Sequence, residues 1–142
     1  MIVLDTNVVS ELGRYAPDTR VLAWSESAGD LLTITAVTAA EMTRGVSLLP
    51  RGARRDALAA SVTGQLMSFE MRGGVLPFDA RAAHEFGDVA ARRNAAGRPV
   101  ADADAMIAAI CRAHGAPLAT RNIKDFTGTG VTLINPWDEP PT

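Results

Sequence analysis

Short apolar segments alternate with longer stretches of helical periodicity along the whole chain. Five segments are rich in aliphatic residues and are predicted to be strands: residues 2–4, 31–35, 75–78, 117–120 and 131–134. Between them, apolar residues recur every three or four positions, as in helices that bury one face. Residues 37–48 and 51–72 are expected to form a helical hairpin. Strands separated by helices predict an α/β fold with a central parallel sheet of four or five strands.

The size and composition of the chain favour one ordinary domain. With 142 residues, 47% of them hydrophobic, residues 1–142 are expected to fold as a single domain with an irregular, proline-rich tail from about 135 to 142. Cys111 is the only cysteine, which excludes an intrachain disulfide and favours a reducing compartment. The chain has no signal-peptide pattern and no apolar run of membrane-spanning length, so we expect a cytoplasmic protein that does not enter a membrane. Its net charge of -2 excludes neither an enzyme nor a nucleic-acid binder.

Three carboxylates accompany three of the apolar segments. Asp5 directly follows the first strand, Glu41 closes the segment 34–41, and Asp104 opens a strongly apolar helix. Open α/β sheets keep their ligands at the carboxyl ends of the strands, where Asp5 is expected. Any one of these acids is equally explained as a helix cap. Clustered carboxylates repel one another unless a cation neutralises them, so the three together predict a site for Mg²⁺ or Mn²⁺.

Asp102 and Asp104 are two residues apart, about 200° around a helix, so they point to different sides. Asp102 follows Pro99-Val100-Ala101 and is expected to be the N-cap of this helix. Asp104 is then the residue that faces the site.

Four motifs in their order along the chain resemble those of PIN-domain nucleases. The resemblance is closer to the VapC toxins of type II toxin–antitoxin systems, including the FitB-like branch, and it covers essentially the whole chain. The motifs are Asp5-Thr6-Asn7, Glu41 with Arg44-Gly45-Val46, the segment 104–109, and the segment 118–126 with the closing Asn135-Pro136-Trp137. The resemblance implies a PIN-like three-layer fold. It also implies a Mg²⁺- or Mn²⁺-dependent ribonuclease toxin that hydrolyses RNA phosphodiester bonds and is neutralised by a cognate antitoxin of the VapB or FitA type.

Carried onto this sequence, the resemblance makes Asp5, Glu41 and Asp104 the catalytic and metal-binding residues. It implies supporting roles for Thr6, Asn7 and Thr120, which would orient Asp5 or bound water. The fourth acidic place of the family falls on the motif Thr120-Arg121-Asn122. Either Asn122, working through water, or Asp125, three residues later, fills it.

The basic residues near these motifs are candidates for binding RNA. Arg44, Arg121 and Lys124 flank the acids in sequence, and a forked guanidinium suits phosphate contacts. Resemblance further implies that an antitoxin segment lies across the hairpin 37–48 and 51–72, that operator DNA is bound only through the antitoxin, and that the protein is a homodimer.

Other functions fit the sequence less well. A haloacid-dehalogenase-type phosphatase needs a second aspartate where Asn7 stands, and a Rossmann nucleotide-binding domain needs a glycine-rich turn after the first strand. The main alternative is a catalytically weak PIN-fold binding partner, which acts with a DNA-binding antitoxin in operator binding and autoregulation. The three intact acids favour the enzyme.

Overall fold

The structure is a computed structural model that describes residues 1–138 of the chain. Of the predicted irregular tail, residues 135–138 lie in a turn region and the remainder lies outside the described residues. The strands are β1 (Ile2–Leu4), β2 (Leu32–Thr35), β3 (Val75–Leu76), β4 (Leu118–Ala119) and β5 (Leu133–Ile134). The helices are α1 (Thr6–Leu12), α2 (Thr19–Ala28), α3 (Ala36–Ser47), α4 (Ala53–Met71), α5 (Ala80–Ala95), α6 (Asp102–His114) and α7 (Ile123–Phe126).

The five strands form one parallel sheet in the order β3-β2-β1-β4-β5, which confirms the predicted fold class. The chain begins in the middle of the sheet, adds β2 and β3 on one side, and then adds β4 and β5 on the other. The carboxyl ends of β1 and β4 therefore flank the topological switch point, where open α/β sheets bind their ligands.

Helices cover both faces of the sheet, so the fold has three layers. Because side chains alternate along a strand, Val3 and Leu4 of β1 enter different apolar clusters, and both are fully buried. Val3 packs with α5 and α6, whereas Leu4 packs with α1 to α4. The first cluster includes Val89, Ile107, Ile110, Leu118 and Phe126, and the second includes Val8, Val21, Ile34, Met42 and Leu66. Each such side chain contributes about 1.5–3 kcal/mol through burial.

The helical hairpin is confirmed as α3 and α4. Strand β1 has the predicted bounds, and strands β2 to β5 are shorter than predicted. The third strand ends at Leu76 rather than at residue 78, since Pro77 has no N–H to donate to a neighbouring strand. Within residues 1–138, no helix combines the length and apolar character that crossing a bilayer requires.

The prediction that Asp102 caps α6 is wrong. Ala101 is the N-cap, because its carbonyl oxygen already accepts the N–H of Ala105, and Asp102 is the first residue inside the helix. The exposed carboxylate of Asp102 therefore lies in the first turn, where it still interacts favourably with the helix dipole. Asp104 follows as the third residue of α6.

Candidate active site

Asp5 lies at the carboxyl end of β1, where its backbone N–H donates to the carbonyl oxygen of Ala119 at 2.9 Å. Its side chain is 5% exposed. Oδ1 accepts the N–H of Thr6 at 2.8 Å, which makes Asp5 the N-cap of α1. Oδ2 accepts the hydroxyl of Thr120 at 2.7 Å and the amide of Asn7 at 3.2 Å. Asp5 is therefore both a helix cap and a rigidly held carboxylate.

Burial is the main reason why the pKa of Asp5 lies above its ordinary value. The hydrogen bonds from Thr120 and Thr6 act in the opposite direction, since they favour the charged form. The charges of Glu41 and Asp125 raise the pKa further. The hydrogen bonds thus hold a carboxylate in place where its charge is unfavourable.

The loop after β4 is tied to the loop after β1 through side chains. The Thr120 hydroxyl, which is fully buried, accepts the backbone N–H of Asn122 at 3.0 Å and the amide of Asn7 at 3.3 Å. Asn7 Oδ1 accepts the backbone N–H of Arg121 at 3.2 Å. Asn7 and Thr120 therefore bridge two strands and fix the position of Asp5 between them.

Glu41 is exposed on α3 and is held by a chain of threonine hydroxyls. The Thr6 hydroxyl donates to Glu41 Oε1 at 2.8 Å and lies 3.5 Å from the hydroxyl of Thr38. Thr35, the N-cap of α3, donates its hydroxyl to that of Thr38 at 3.3 Å. Sequence reasoning missed Thr35 and Thr38. Their spacing of three residues after a strand was a capping signal, and Thr38 precedes Glu41 by one helical turn.

Asp104 is partly buried in the first turn of α6. Burial, followed by the charges of Asp5, Asp125 and Glu41, raises its pKa from 3.8 to about 6, against the opposing charge of Arg93. These effects show that four carboxylates from four different elements share one electrostatic environment. Thr6 therefore links Asp5 and Glu41 directly by hydrogen bonds, and the charges of Asp5, Glu41 and Asp125 reach Asp104.

Asn122 and Asp125 differ in what they contribute. Asn122 is exposed at the N-cap of α7, and its side chain makes no capping hydrogen bond there. Asp125 lies one residue before the end of α7, and its charge raises the pKa of both Asp5 and Asp104.

The site offers the right kind of donors for Mg²⁺ or Mn²⁺ but not a closed set of ligands. Its oxygens come from carboxylates, hydroxyls and an amide, which hard divalent cations prefer. In the described range 1–138, no three His, Cys, Asp or Glu side chains are arranged so that they could hold a metal ion together. Mg²⁺ usually keeps several waters and needs only one or two carboxylates. The residues therefore fit a hydrated ion in charge and chemistry.

The three RNA-binding candidates from the sequence are exposed cations on α3, on α7 and in the segment before α7. Arg44 follows Glu41 by three residues on α3, and Lys124 lies on α7 beside Asp125. Arg121 places its guanidinium over the ring of Trp137, at 4.9 Å from the ring centre.

A buried arginine that sequence reasoning missed supports α7. Arg93 on α5 is 6% exposed, and its Nη1 donates to the carbonyl oxygens of Lys124 at 3.2 Å and Thr127 at 2.7 Å. Its Nε has no hydrogen-bond partner among residues 1–138. Nothing in the sequence distinguishes it from Arg92, its exposed neighbour in the last turn of α5.

A largely apolar cleft of about 620 Å³ opens beside the acids between α1, α3 and α4. Thr6 and Glu41 form its end at the site, so the cleft and the carboxylates are continuous. Its walls include Met42, Leu49, Leu58 and Val62, with Arg14 and Arg54 as charged lining residues.

Comparison with known proteins gives concordant results. Residues 2–129 match the family described as PIN domain. The chain is 40% identical to the VapC ribonuclease Y4jK of Sinorhizobium fredii, over 97% of this chain and 99% of that protein. It is 34% identical to the toxin FitB of Neisseria gonorrhoeae, over 98% of this chain and 100% of that protein. A structure of FitAB bound to an IR36 DNA fragment superposes with a TM-score of 0.88 at 35% identity, covering 99% of this chain and 98% of the matched chain.

Proposed function

The chain belongs to the PIN domain family, and on that basis we propose that it is a divalent-metal-dependent endoribonuclease toxin neutralised by a cognate antitoxin. The observation that carries the proposal is that the charges of Asp5, Glu41 and Asp125 act on Asp104 beside the switch point of the sheet, and that Thr6 hydrogen-bonds to both Asp5 and Glu41. A relative named as a VapC ribonuclease, 40% identical over almost the full length, supports RNA as the substrate.

The acidic residues would hold a hydrated Mg²⁺ or Mn²⁺, and Asp5, Glu41 and Asp104 are the proposed ligands, at least one of them acting through a bound water rather than directly. When bound, the cation supplies a Lewis acid that polarises a phosphoryl oxygen and makes a water more acidic. Thr120 and Asn7 hold the carboxylate of Asp5 in one orientation, and Thr6 positions Glu41. Thr35 and Thr38, which are fully buried, continue the chain of hydroxyls behind Thr6.

We assign the fourth acidic place to Asp125. Its charge reaches both Asp5 and Asp104, and Arg93 supports the helix that carries it. Asn122 acts instead through its backbone, by donating its N–H to the hydroxyl of Thr120. Asp125→Asn should therefore reduce cleavage more than Asn122→Ala.

Cleavage of a structured RNA by the purified protein tests the proposal. Cleavage should require Mn²⁺ or Mg²⁺ and stop on addition of EDTA. Asp5→Asn and Asp104→Asn should abolish it, whereas Asp102→Asn, an exposed carboxylate on the same helix as Asp104, should not. Equal cleavage by all four proteins would show that the acidic cluster is not the active site.

We propose that the antitoxin binds in the cleft between α1, α3 and α4 through an apolar segment. Near the end of α3, Leu49 lines the cleft, Val46 packs against the core and Leu48 is 70% exposed outside the cleft lining. Leu49→Ala and Leu58→Ala should weaken antitoxin binding, with Leu48→Ala as the matched control. An unchanged affinity in both cleft variants would place the antitoxin elsewhere.

The alternative role, operator binding through the antitoxin, rests on the DNA-bound FitAB structure that this chain resembles. It is compatible with nuclease activity, so the Asp5→Asn protein should still increase the affinity of the antitoxin for operator DNA. A gel-shift titration measures this affinity.

We also propose that the protein is a homodimer, which light scattering would test, and that it is located in the cytoplasm.

A further inference from the structure

The stack of Arg121 on Trp137 lies at the edge of the acidic site, and the proposed function does not account for it. We propose that Trp137 is a positioning residue that holds the guanidinium of Arg121 ready to contact an RNA phosphate. This inference depends on RNA being the substrate, as proposed above.

Trp137 is a fixed platform. It follows β5, which ends at the same edge of the sheet as β1, and its indole is 5% exposed within the cluster that contains Leu4 and Val8. Its backbone N–H donates to Asn135 Oδ1 at 3.1 Å, which defines the turn that presents the ring. Arg121 lies over the face of this largely buried indole, so in this arrangement Trp137 acts on RNA through the side chain that covers it.

Arg121 is exposed and is connected to the acids through its backbone. Its N–H donates to Asn7 Oδ1, and Asn7 in turn donates to Asp5. A free arginine side chain has about 2 kcal/mol of rotamer entropy to lose when it binds a phosphate. Stacking uses the flat face of the guanidinium and leaves the N–H donors in its plane available. The stack therefore reduces the entropy lost on binding without blocking the contact.

The test measures binding separately from cleavage. All variants carry Asp5→Asn, so that a fluorescent single-stranded RNA stays intact while anisotropy reports its affinity at several salt concentrations. Arg121→Met should weaken binding and reduce the slope of log affinity against log salt by about 0.7, as expected for one phosphate contact on a single strand. Trp137→Leu should weaken binding by about two- to fivefold, the change that corresponds to one exposed cation–π contact.

The decisive comparison is the double mutant. If Trp137 acts through Arg121, Trp137→Leu should have no further effect on RNA affinity in the Arg121→Met background. Trp137→Phe keeps an aromatic face and should retain most of the affinity. Should Trp137→Leu fail to fold, Trp137→Met, which also removes the aromatic face, takes its place in both backgrounds. Equal weakening by a Trp137 substitution in both backgrounds would show a purely structural role and overturn the inference.

The chain provides a matched control at the opposite edge of the sheet. Arg72 lies over Phe69 at 4.7 Å from the ring centre and donates to the carbonyl oxygen of Leu32, at the start of β2. Phe69→Leu should lower stability without changing RNA affinity.

An unchanged RNA affinity in the Arg121→Met protein would also overturn the inference. It would leave metal-dependent cleavage by the unmodified protein, and hence the proposed function, intact. A complete absence of RNA binding would count against both.

Discussion

Replacing Asp104 by asparagine should stabilise the metal-free protein while it abolishes the proposed activity. The pKa of Asp104 rises from 3.8 to about 6 because of burial and the neighbouring charges of Asp5, Asp125 and Glu41. At roughly 1.4 kcal/mol per pKa unit, this rise corresponds to about 3 kcal/mol. Solvent screens a carboxyl group that is only partly buried, so about half of this, ~1.5 kcal/mol, should appear as an increase in the free energy of unfolding.

The pH dependence follows from the direction of the shift. Because the pKa of Asp104 is higher in the folded state, the folded protein binds this proton more tightly than the unfolded chain does. The stabilising contribution is complete below pH 3.8 and is lost as the pH rises to about 6. The pKa of Asp5 is also raised and acts in the same direction. Asp104→Asn removes the contribution of Asp104 to this pH dependence. The gain in unfolding free energy of the variant over the original protein should therefore be larger above about pH 6 than between pH 3.8 and 6.

Urea unfolding in EDTA, at about pH 5 and about pH 7.5, measures the effect. Asp102→Asn is the matched control, since Asp102 is exposed in the same first turn and interacts favourably with the helix dipole. It should give no gain. Saturating Mn²⁺ should stabilise the original protein more than it stabilises the Asp104→Asn protein. An ion that binds only the folded state stabilises it according to its affinity, and the substitution removes a proposed ligand. An Asp104→Asn protein that is less stable than the original in EDTA at both pH values would refute the reasoning.

Three further substitutions test the groups that support the site. Thr120→Val keeps the buried shape but removes the hydroxyl that donates to Asp5. The free energy of unfolding should fall by about 2 kcal/mol and the cleavage rate by about 10- to 100-fold. Thr120→Ser, which restores a hydroxyl, should recover most of both. Thr6→Val releases Glu41 Oε1, so the cleavage rate should fall while the melting temperature changes little; a large drop in melting temperature would indicate a structural role instead. Arg93→Met removes both hydrogen bonds to the end of α7, so amide hydrogen exchange should accelerate in α7 and not in α1. Equal acceleration in both helices would contradict a local effect.

Much of the fold could be predicted from the sequence because the relevant signals are local. The apolar runs and helical periodicities identify each element, and aspartates placed before helices mark where they begin. Asp18 and Asp79, for example, cap α2 and α5, by accepting the N–H groups of Arg20 and Ala82. At Asp102 the same rule failed by one residue, since a carbonyl hydrogen bond rather than the side chain decides where α6 starts.

The order of the strands and the chemistry of the site are long-range properties. Thr120 and Asp5 are separated by 115 positions in the sequence, and Thr6 and Glu41 by 35, so no local pattern could pair their side chains. Motif resemblance selected Asp5, Glu41 and Asp104 as site residues, but it left Asn122 and Asp125 as alternatives.

Local periodicity and family motifs encode the element types, the layered α/β architecture and the candidate acids, so the sequence alone predicts these. Folding is needed to show that the charge of Asp125 acts on Asp5 and Asp104, that Arg93 is buried and supports α7, and that Trp137 lies under Arg121. The electrostatic environment, burial and partners of a side chain depend on which distant segments the folded sheet brings within a few ångströms of it.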